Sequence, residues 1–375
     1  MSLLQYCKAV YRNFKFNHLL RTPSGLTASA AEEILQKFLP RSAPVFHQEN
    51  AVDPKYDVMI IVPVYNVAPY LEQCINSILN QRTNYTFQVV FLDDGSTDGS
   101  GKILDKRVPP PQTFESVCFH REYTVIHKAN GGVSSARNDA LCRITGRYVM
   151  FLDSDDYLAP NAIELLVRTA DETGADIVEG SHIFFDEQNE LGCNSHSSSV
   201  SEIPYLDLYG FPWGKVISSR LLKDFCFPVG YLFEDTVMAT LLHPSSNLNM
   251  SVPDVVYYYR DNHTGITHSS KKIREAVDSF WMMKYCLEER IHRGDRLSHE
   301  NYVRYLTAIR RNWIRTMNLP ENVQESIFSI SCDLFTACLP MTYEGSEKRM
   351  RLLEQAIRHK SYKAFRFLME RWDIL

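Results

Sequence analysis

The 375-residue sequence has no apolar stretch long enough to cross a bilayer, which excludes a spanning helix. No clean apolar h-region followed by a small-residue cleavage site stands at its start, so secretion is not expected. The nine cysteines (Cys7, Cys74, Cys118, Cys142, Cys193, Cys226, Cys286, Cys332 and Cys338) are scattered singly, without any Cys-x-x-Cys pair. That argues against zinc and dithiol redox sites and for a reducing, cytoplasmic setting. There is no long Lys/Arg run and the net charge is -5, so nucleic acid is not an expected partner. No internal repeat is visible. Acidic residues are absent from positions 1–31, which nevertheless contain Lys8, Arg12, Lys15 and Arg21. With 45% hydrophobic and 23% charged residues, the chain has the length and composition for two globular domains and a sizeable core.

What is present is a strand-like apolar run, Tyr148 to Leu152, that ends in Asp153-Ser154-Asp155-Asp156. Carboxylates clustered at the end of a buried strand are costly unless a cation sits on them. Strand spacing turns Asp153 and Asp155 to one side, where both can face one ion. Mg²⁺ or Mn²⁺, held by one or two carboxylates with water and substrate phosphates in the remaining positions, suits such an oxygen site. Asp156 stands open between this cluster and capping the helix that Pro160 opens.

Around this stretch, short β-branched runs alternate with amphipathic helical segments. Strands are expected at Val58 to Val62, Gln88 to Leu92, Tyr123 to His127 and Tyr148 to Leu152. Helices are expected near Pro69 to Asn80, Gly99 to Lys106 and Ser134 to Ile144, the last capped by Ser134. Such alternation predicts the α/β class: a Rossmann-like, mainly parallel sheet with helices on both faces and ligands at the carboxyl ends of the strands. Each polar motif falls at such an end. Pro63-Val64-Tyr65-Asn66 offers a flat ring and an amide for a base or sugar; Asp93-Asp94-Gly95-Ser96-Thr97-Asp98 leaves strand two, and Asp94 can accept from a base N–H. In Asn130-Gly131-Gly132-Val133-Ser134-Ser135-Ala136-Arg137-Asn138 the glycines permit close backbone approach, and Arg137 sits one turn into the helix.

The ordered set VPVYN, DDGSTD, NGGVSSARN and FLDSDDY resembles the family 2 glycosyltransferases of bacterial polysaccharide synthesis, over roughly residues 57–268. The resemblance implies a GT-A fold and an inverting, nucleotide-sugar-dependent enzyme. It implies that Pro63, Tyr65 and Asp94 hold the base, usually uracil, that Asp153 lies near the ribose and metal, and that Asp155 is the main metal ligand. The expected nucleotide-sugar set is therefore Pro63, Val64, Tyr65, Asn66, Asp93, Asp94, Gly131, Arg137, Asp153 and Ser154. Trp213-Gly214-Lys215 resembles the family's Trp-x-Lys segment on the acceptor side, with Trp213 open between a sugar platform and a core residue. Glu234-Asp235 resembles the Glu-Asp motif whose Asp is the catalytic base; without the resemblance both read as first-turn helix acids. Arg260 to His268 is similar to the loop that closes over the diphosphate, giving Arg260, Thr267 and His268 to phosphate and His263 or His268 to the metal shell. Two departures stand in that loop: Gly265 where many relatives have serine, and Asn262 near where a second basic residue is common.

The flanks read more simply. Leu4, Cys7, Val10/Tyr11, Phe14 and His18 recur at helical spacing in a basic segment, open between lying on an anionic membrane surface and docking its apolar stripe on the protein. Residues 40–55, with Pro40, Pro44 and Pro54, read as a linker, and residues 186–202 as an exposed polar loop. From Lys271 onward apolar stripes describe a bundle of about four helices, in which Arg310, Arg311, Arg315, Arg349, Arg351, Arg358, Lys360, Lys363 and Arg366 form either a solvated face or an anion-attracting one. The expected organisation is an N-terminal basic amphipathic helix and linker at 1–55, a GT-A domain at 56–270 and a C-terminal helical bundle at 271–375. The expected activity is transfer of sugar, with Mn²⁺ or Mg²⁺, from a UDP-linked donor to a hydroxyl of a glycan or lipid-linked glycan, at the inner face of the membrane or free in the cytoplasm. Transfer to a polyprenyl phosphate, or a catalytically inactive sugar-nucleotide-binding assembly subunit, are the rival readings.

Overall fold

The computed structural model describes residues 3–109, 121–186, 189–196, 198–262, 274–339 and 341–372, with the backbone alone for 3–10 and 13. The chain forms two compact units, Pro44–Gly265, and Met1–Ala43 together with Ile266–Leu375. The second begins with α1 (Leu3–Leu20) and α2 (Ala28–Phe38). These helices group with the C-terminal ones, whereas the sequence alone sets residues 1–55 apart as a basic helix and linker.

The strands of the first unit are β1 (Ala51–Val64), β2 (Phe87–Asp93), β3 (Arg121–His127), β4 (Arg143–Phe151), β5 (Tyr157–Leu158), β6 (Ile177–Phe185), β7 (Glu190–Asn194), β8 (Ser201–Glu202), β9 (Lys215–Ser218) and β10 (Asn249–Arg260). They lie in the order β3-β2-β1-β4-β9-β6-β10-β5, with β7 on β6 and β8 on β10. Val58 to Val64 of β1 are buried at every position because the strand is central: α3 (Ala68–Leu79) and α6 (Ala162–Thr173) pack on the face of Val58, Ile60 and Val62. On α3, Leu71, Cys74, Ile75 and Ile78 recur at helical spacing toward it. Two further helices, α4 (Ser100–Arg107) and α5 (Val133–Leu141), follow β2 and β3. Strands β1 to β3 step outward in one direction and β4 returns to the other side of β1, so the order reverses between β1 and β4. That reversal opens a crevice beyond their carboxyl ends.

The parallel pairings of β3, β2, β1 and β4, and of β6 with β10, match the expectation. Between these two blocks β9 runs antiparallel to both β4 and β6. It is four residues long and opens on a lysine, too little pattern for a strand to be read from. The polar stretch 186–202 is not wholly loop, since β7 and β8 pair with the sheet there. Nor is the stretch before β1 a loose linker. Phe46 is buried, and the Asn50 amide donates to the carbonyls of Leu222 (2.6 Å) and Phe225 (2.8 Å) beside α7 (Ser219–Leu222).

In the second unit α1 and α2 are joined by α8 (Asp278–His292), α9 (His299–Thr316), α10 (Glu321–Cys338), α11 (Lys348–Arg358) and α12 (Tyr362–Met369). The last two divide what the sequence presents as one stripe: Lys360 takes a left-handed φ of 49° and Ser361 then caps α12 through the Ala364 N–H. Helix α2 packs on α10 through Ala31 and Leu35, and the Arg41 guanidinium donates two 2.8 Å bonds to the buried Asp278 carboxylate. Helix α1 lies against α12 and buries Phe16 and Leu20. The stripe read from its sequence is not the buried one, for Tyr11 is 61% and Phe14 72% exposed. Among the described residues no helix is long and apolar enough to cross a membrane.

Candidate active site

The crevice is rimmed first by the turn after β1. Pro63 and Val64 are buried inside the strand and can offer a ligand little beyond their backbone, while the Tyr65 ring is 52% exposed. Asn66 takes a left-handed φ of 49°; its amide oxygen accepts from the Thr97 N–H (2.8 Å) and its own N–H donates to Ser96 Oγ (3.1 Å). It joins two loops, so its side chain is less available to a base than the sequence suggested.

The two carboxylates at the end of β2 diverge. Asp93 accepts from the Ser96 N–H (3.0 Å) and from His127 Nδ1 (2.8 Å), whose Nε2 is 3.1 Å from Asp105. Burial raises the Asp93 pKa, but the Ser96 and His127 hydrogen bonds outweigh it and hold the carboxyl below its usual range. The same bonds to Asp93 and Asp105 raise the pKa of His127. Asp94 accepts from Gly131 N–H (2.9 Å) and Gly132 N–H (2.7 Å), and Lys128 Nζ lies 3.3 Å from it. A Cβ at Gly131 would meet Ser135 Oγ at 2.6 Å, so a larger residue there would have to displace Ser135. Asp94 therefore fastens the Gly-Gly loop: Oδ1 meets both the Gly131 N–H and Lys128, which leaves a second lone pair for a ligand on Oδ2. Ser134 does not cap α5: Gly132 holds the cap position, and no side chain bonds there.

The end of β4 is different. Asp153 to Asp156 form a turn, closed by the Asp156 N–H on the Asp153 carbonyl (3.1 Å), so strand alternation does not govern them. Asp156 neither caps a helix nor faces a ligand. It is buried and accepts from Tyr257 OH (2.7 Å) and the Arg260 N–H (2.7 Å), pinning the end of β10. Asp153 accepts from Arg137 Nη2 (2.9 Å), and the other arm of that guanidinium donates to Glu234 Oε1 (2.8 Å). Arg137 is itself buried, over the Phe227 ring at 5.1 Å, and serves as a bridge between two carboxylates. Next to it in sequence, Asn138 pairs through both its amide atoms with the backbone of Phe227 at 2.8 Å, which fixes the depth of α5. Asp155 has one neutral donor, Asn262 Nδ2 at 3.1 Å. Burial and the adjacent Asp153 charge raise its carboxyl pKa, and burial with the Asp155 and Asp153 charges raises that of Asp156 further. Ser154 is buried in the turn.

Arg260 points back into the fold. Its Nε donates to the Asp155 carbonyl (2.9 Å), its Nη2 to Gln73 (2.6 Å), and the guanidinium lies between the rings of Tyr70 and Phe185. His263, Thr267 and His268 lie outside the described residues.

On the remaining side, Trp213 proves to be core: it is 3% exposed, stacked between Phe211 (4.7 Å) and Tyr257 (4.5 Å). Phe211, 37% exposed, is the outer ring of that stack. Lys215 is fully buried, paired with Glu179 and donating to the Tyr209 carbonyl (2.6 Å); burial lowers its pKa despite the Glu179 charge. Its ammonium shapes the loop before Trp213. Glu234 and Asp235 sit in a turn that starts with Phe233 at a left-handed φ of 62°, uncommon for a bulky residue and frequent near functional sites. The Asp235 carbonyl accepts from the Met238 N–H (2.9 Å), and both acids lie in the turn that leads into the short helical segment Met238–Leu242. The loop carrying Phe211 approaches this segment, as a Cβ at Gly210 would meet the Ala239 Cβ at 3.5 Å.

The sequence reading passed over Tyr257, whose hydroxyl binds Asp156 and accepts from the Asp153 N–H (3.2 Å), as well as Asn262, Lys128 and Phe211. Lys128 had a signal, standing two residues before the Asn-Gly-Gly motif. Phe211 had one as well, next but one to the Trp of Trp-x-Lys.

Among the described residues no group of three or more His, Cys, Asp or Glu side chains could hold a metal by itself. One or two carboxylates sharing a divalent cation with phosphate oxygens is the arrangement the turn fits, and the raised pKa of Asp155 marks a charge that a cation would relieve.

Comparison with known proteins bears on the family and the fold. The family model for glycosyl transferase family 2 matches residues 59–210. The chain is 32% identical over 226 residues to glycosyltransferase GlyA of Streptococcus pneumoniae, a match covering 56% of this chain but only 31% of that relative. With glycosyltransferase GlyG of the same organism it shares 27% identity over 242 residues, 60% of this chain and 75% of the relative. Residues 1–349 of S. aureus TarS, solved in complex with UDP-GlcNAc, superpose with a TM-score of 0.64 at 21% identity, covering 84% of this chain and 91% of that one. Residues 59–210 thus match the glycosyl transferase family 2 model, and the fold they belong to is GT-A.

Proposed function

We propose that the protein is an inverting, metal-dependent transferase that moves a sugar from a UDP-linked donor to a hydroxyl of a glycan or lipid-linked glycan, in the cytoplasm or at the inner face of the membrane. The observation that carries this reading is the division of labour among the acids. Tyr257 and the Arg260 N–H occupy Asp156, and Arg137 occupies both Asp153 and Glu234. Asp155, with a single neutral donor and a raised pKa, is the residue suited to hold Mn²⁺ or Mg²⁺, with Asp153 beside it. When bound, the ion would neutralise the diphosphate leaving group as a Lewis acid. The UDP-GlcNAc named for the TarS complex supports a UDP-linked donor.

The chain's own groups supply the rest. Tyr65 offers an exposed ring to the base, and Asp94 orders the Gly131-Gly132 backbone at the pocket edge. The acceptor hydroxyl attacks the anomeric carbon from the face opposite the leaving group and gives its proton to a carboxylate. In the resembled family the Asp of the Glu-Asp motif is that base, and here it is Asp235, in the turn that leads into the short helical segment Met238–Leu242. Phe211, the outer ring of the stack that begins at Tyr257, is the platform for the acceptor ring, replacing Trp213 in that role.

The test is a transfer assay over UDP-sugars with Mn²⁺ or EDTA, following UDP release and product mass. Asp235→Asn should bind UDP nearly normally and lose about 10²- to 10⁴-fold in rate. Wild-type turnover by Asp235→Asn alongside loss in Glu234→Gln would move the base to Glu234. If both variants stayed active, an acceptor that needs no base, such as a polyprenyl phosphate, would replace the hydroxyl. Binding without turnover over all donors and acceptors would make the protein an inactive sugar-nucleotide-binding subunit.

A further inference from the structure

The helical unit presents a face that the transfer reaction does not use. On α1, Phe16 and Leu20 turn inward, four residues apart. Tyr11 and Phe14 turn outward, 61% and 72% exposed, and Lys15, His18 and Arg21 are exposed with them. At 100° per residue, Tyr11, Phe14 and His18 share one face of the helix, with Lys15 on one flank and Arg21 on the other. The apolar stripe that sequence periodicity picks out is therefore the outward face, and the helix is anchored by its opposite side. Exposing two large aromatics on one helix face costs apolar hydration that a protein surface seldom bears without a partner.

The chemistry around the stripe selects the partner. No acidic residue occurs from position 1 to 31, so nothing on this helix opposes an anionic surface. The cationic character extends to α12, where Lys15 and Arg371 both lie over the Phe367 ring, at 5.5 and 4.3 Å. The acid at that spot, Glu370, is paired with Arg366 and Arg371. Aromatics on the outer face and basic residues at its borders are the pattern of a helix that lies in the plane of a bilayer, rings at the headgroup boundary and cations on the phosphates. We propose that α1 is an interfacial helix that docks this protein reversibly on anionic lipid bilayers. The proposal does not depend on the identity of donor or acceptor, since no residue of the crevice takes part.

The test is co-sedimentation of the full chain with phosphatidylcholine vesicles that contain or lack phosphatidylglycerol. Wild type should bind the anionic vesicles, release in high salt and bind neutral ones weakly. Each basic side chain near such a surface contributes roughly five-fold in partitioning, so Lys15→Gln with Arg21→Gln should weaken binding about 25-fold. Tyr11→Ser with Phe14→Ser should weaken it at least ten-fold at low salt, because two rings no longer leave water. Both pairs leave Phe16 and Leu20 in place, so unfolding midpoints and donor hydrolysis should match wild type. That second readout separates a failure here from a failure of the glycosyltransferase assignment. Unchanged co-sedimentation of the two double variants, or equal binding of wild type to neutral vesicles, would overturn the proposal. So would a wild-type dimer that Tyr11→Ser with Phe14→Ser dissociates without any effect on vesicle binding, because the stripe would then be a self-association surface.

Discussion

Two strand ends in the same sheet carry clustered aspartates, and they have opposite electrostatic fates. At the end of β2, Asp93 and Asp94 meet donors on every side: the Ser96 N–H, His127, the Gly131 and Gly132 N–H groups, and Lys128. At the end of β4, Asp155 and Asp156 accept from neutral donors, and both are raised above the usual carboxylate range, by burial first and then by the Asp153 charge on Asp155 and the Asp155 and Asp153 charges on Asp156. The first pair is a scaffold that shapes the pocket; of the second, Asp156 pins β10 and Asp155 is the acid proposed to hold the cation. An aspartate pair leaving a strand is thus no guide to its job until the donors around it are known.

The comparison is broken most severely by removing the cation that joins the two sides of the crevice. Replacing Arg137 by Met leaves Asp153 and Glu234 facing a buried apolar chain. Losing one partner of a buried pair costs about 3 kcal/mol at the lower end, the end that applies because Asp153 keeps 27% side-chain exposure. Urea unfolding of Arg137→Met should register that loss; a midpoint equal to wild type would mean the bridge carries no net charge stabilisation.

A smaller effect separates the ends by pH. The Asp93 pKa is lowered on folding, so the stability it contributes is present above its unfolded pKa and disappears as pH falls through the folded one. Asp155 is raised, so its contribution is present at low pH and is lost as pH rises through its folded pKa. In metal-free buffer, Asp93→Asn should flatten the acid limb of the melting-temperature profile, and Asp155→Asn should raise the melting temperature at neutral pH. Two variants with the same slope change would dissolve the distinction between the two ends.

Much of this was legible from residue order. Val58 to Val62 reads as a central strand because both its faces are buried, and each polar motif sits at a strand end as the alternation demands. What escaped was set by partners distant in sequence. Nothing near Asp156 announces that Tyr257 and the Arg260 backbone will consume it, and nothing near Arg137 announces Glu234. Trp213 and Phe211 are equally aromatic on paper; packing against Tyr257 buries one and leaves the other at the surface. Helix α1 shows a limit of periodicity, which finds an apolar stripe but not the side from which neighbours approach. The short β9 carried too few residues for its alternation to register.

The most direct test of the contrast is thermal unfolding of wild type, Asp155→Asn and Asp93→Asn at neutral pH, with UDP and Mn²⁺ together and with UDP and EDTA. Ligand at about 100 times its Kd stabilises by roughly 2.7 kcal/mol, enough to move a melting temperature by several degrees. The account predicts a Mn²⁺-dependent rise for wild type, its loss in Asp155→Asn, and its retention in Asp93→Asn. A rise of wild-type size in Asp155→Asn, or its loss in Asp93→Asn alone, would contradict it.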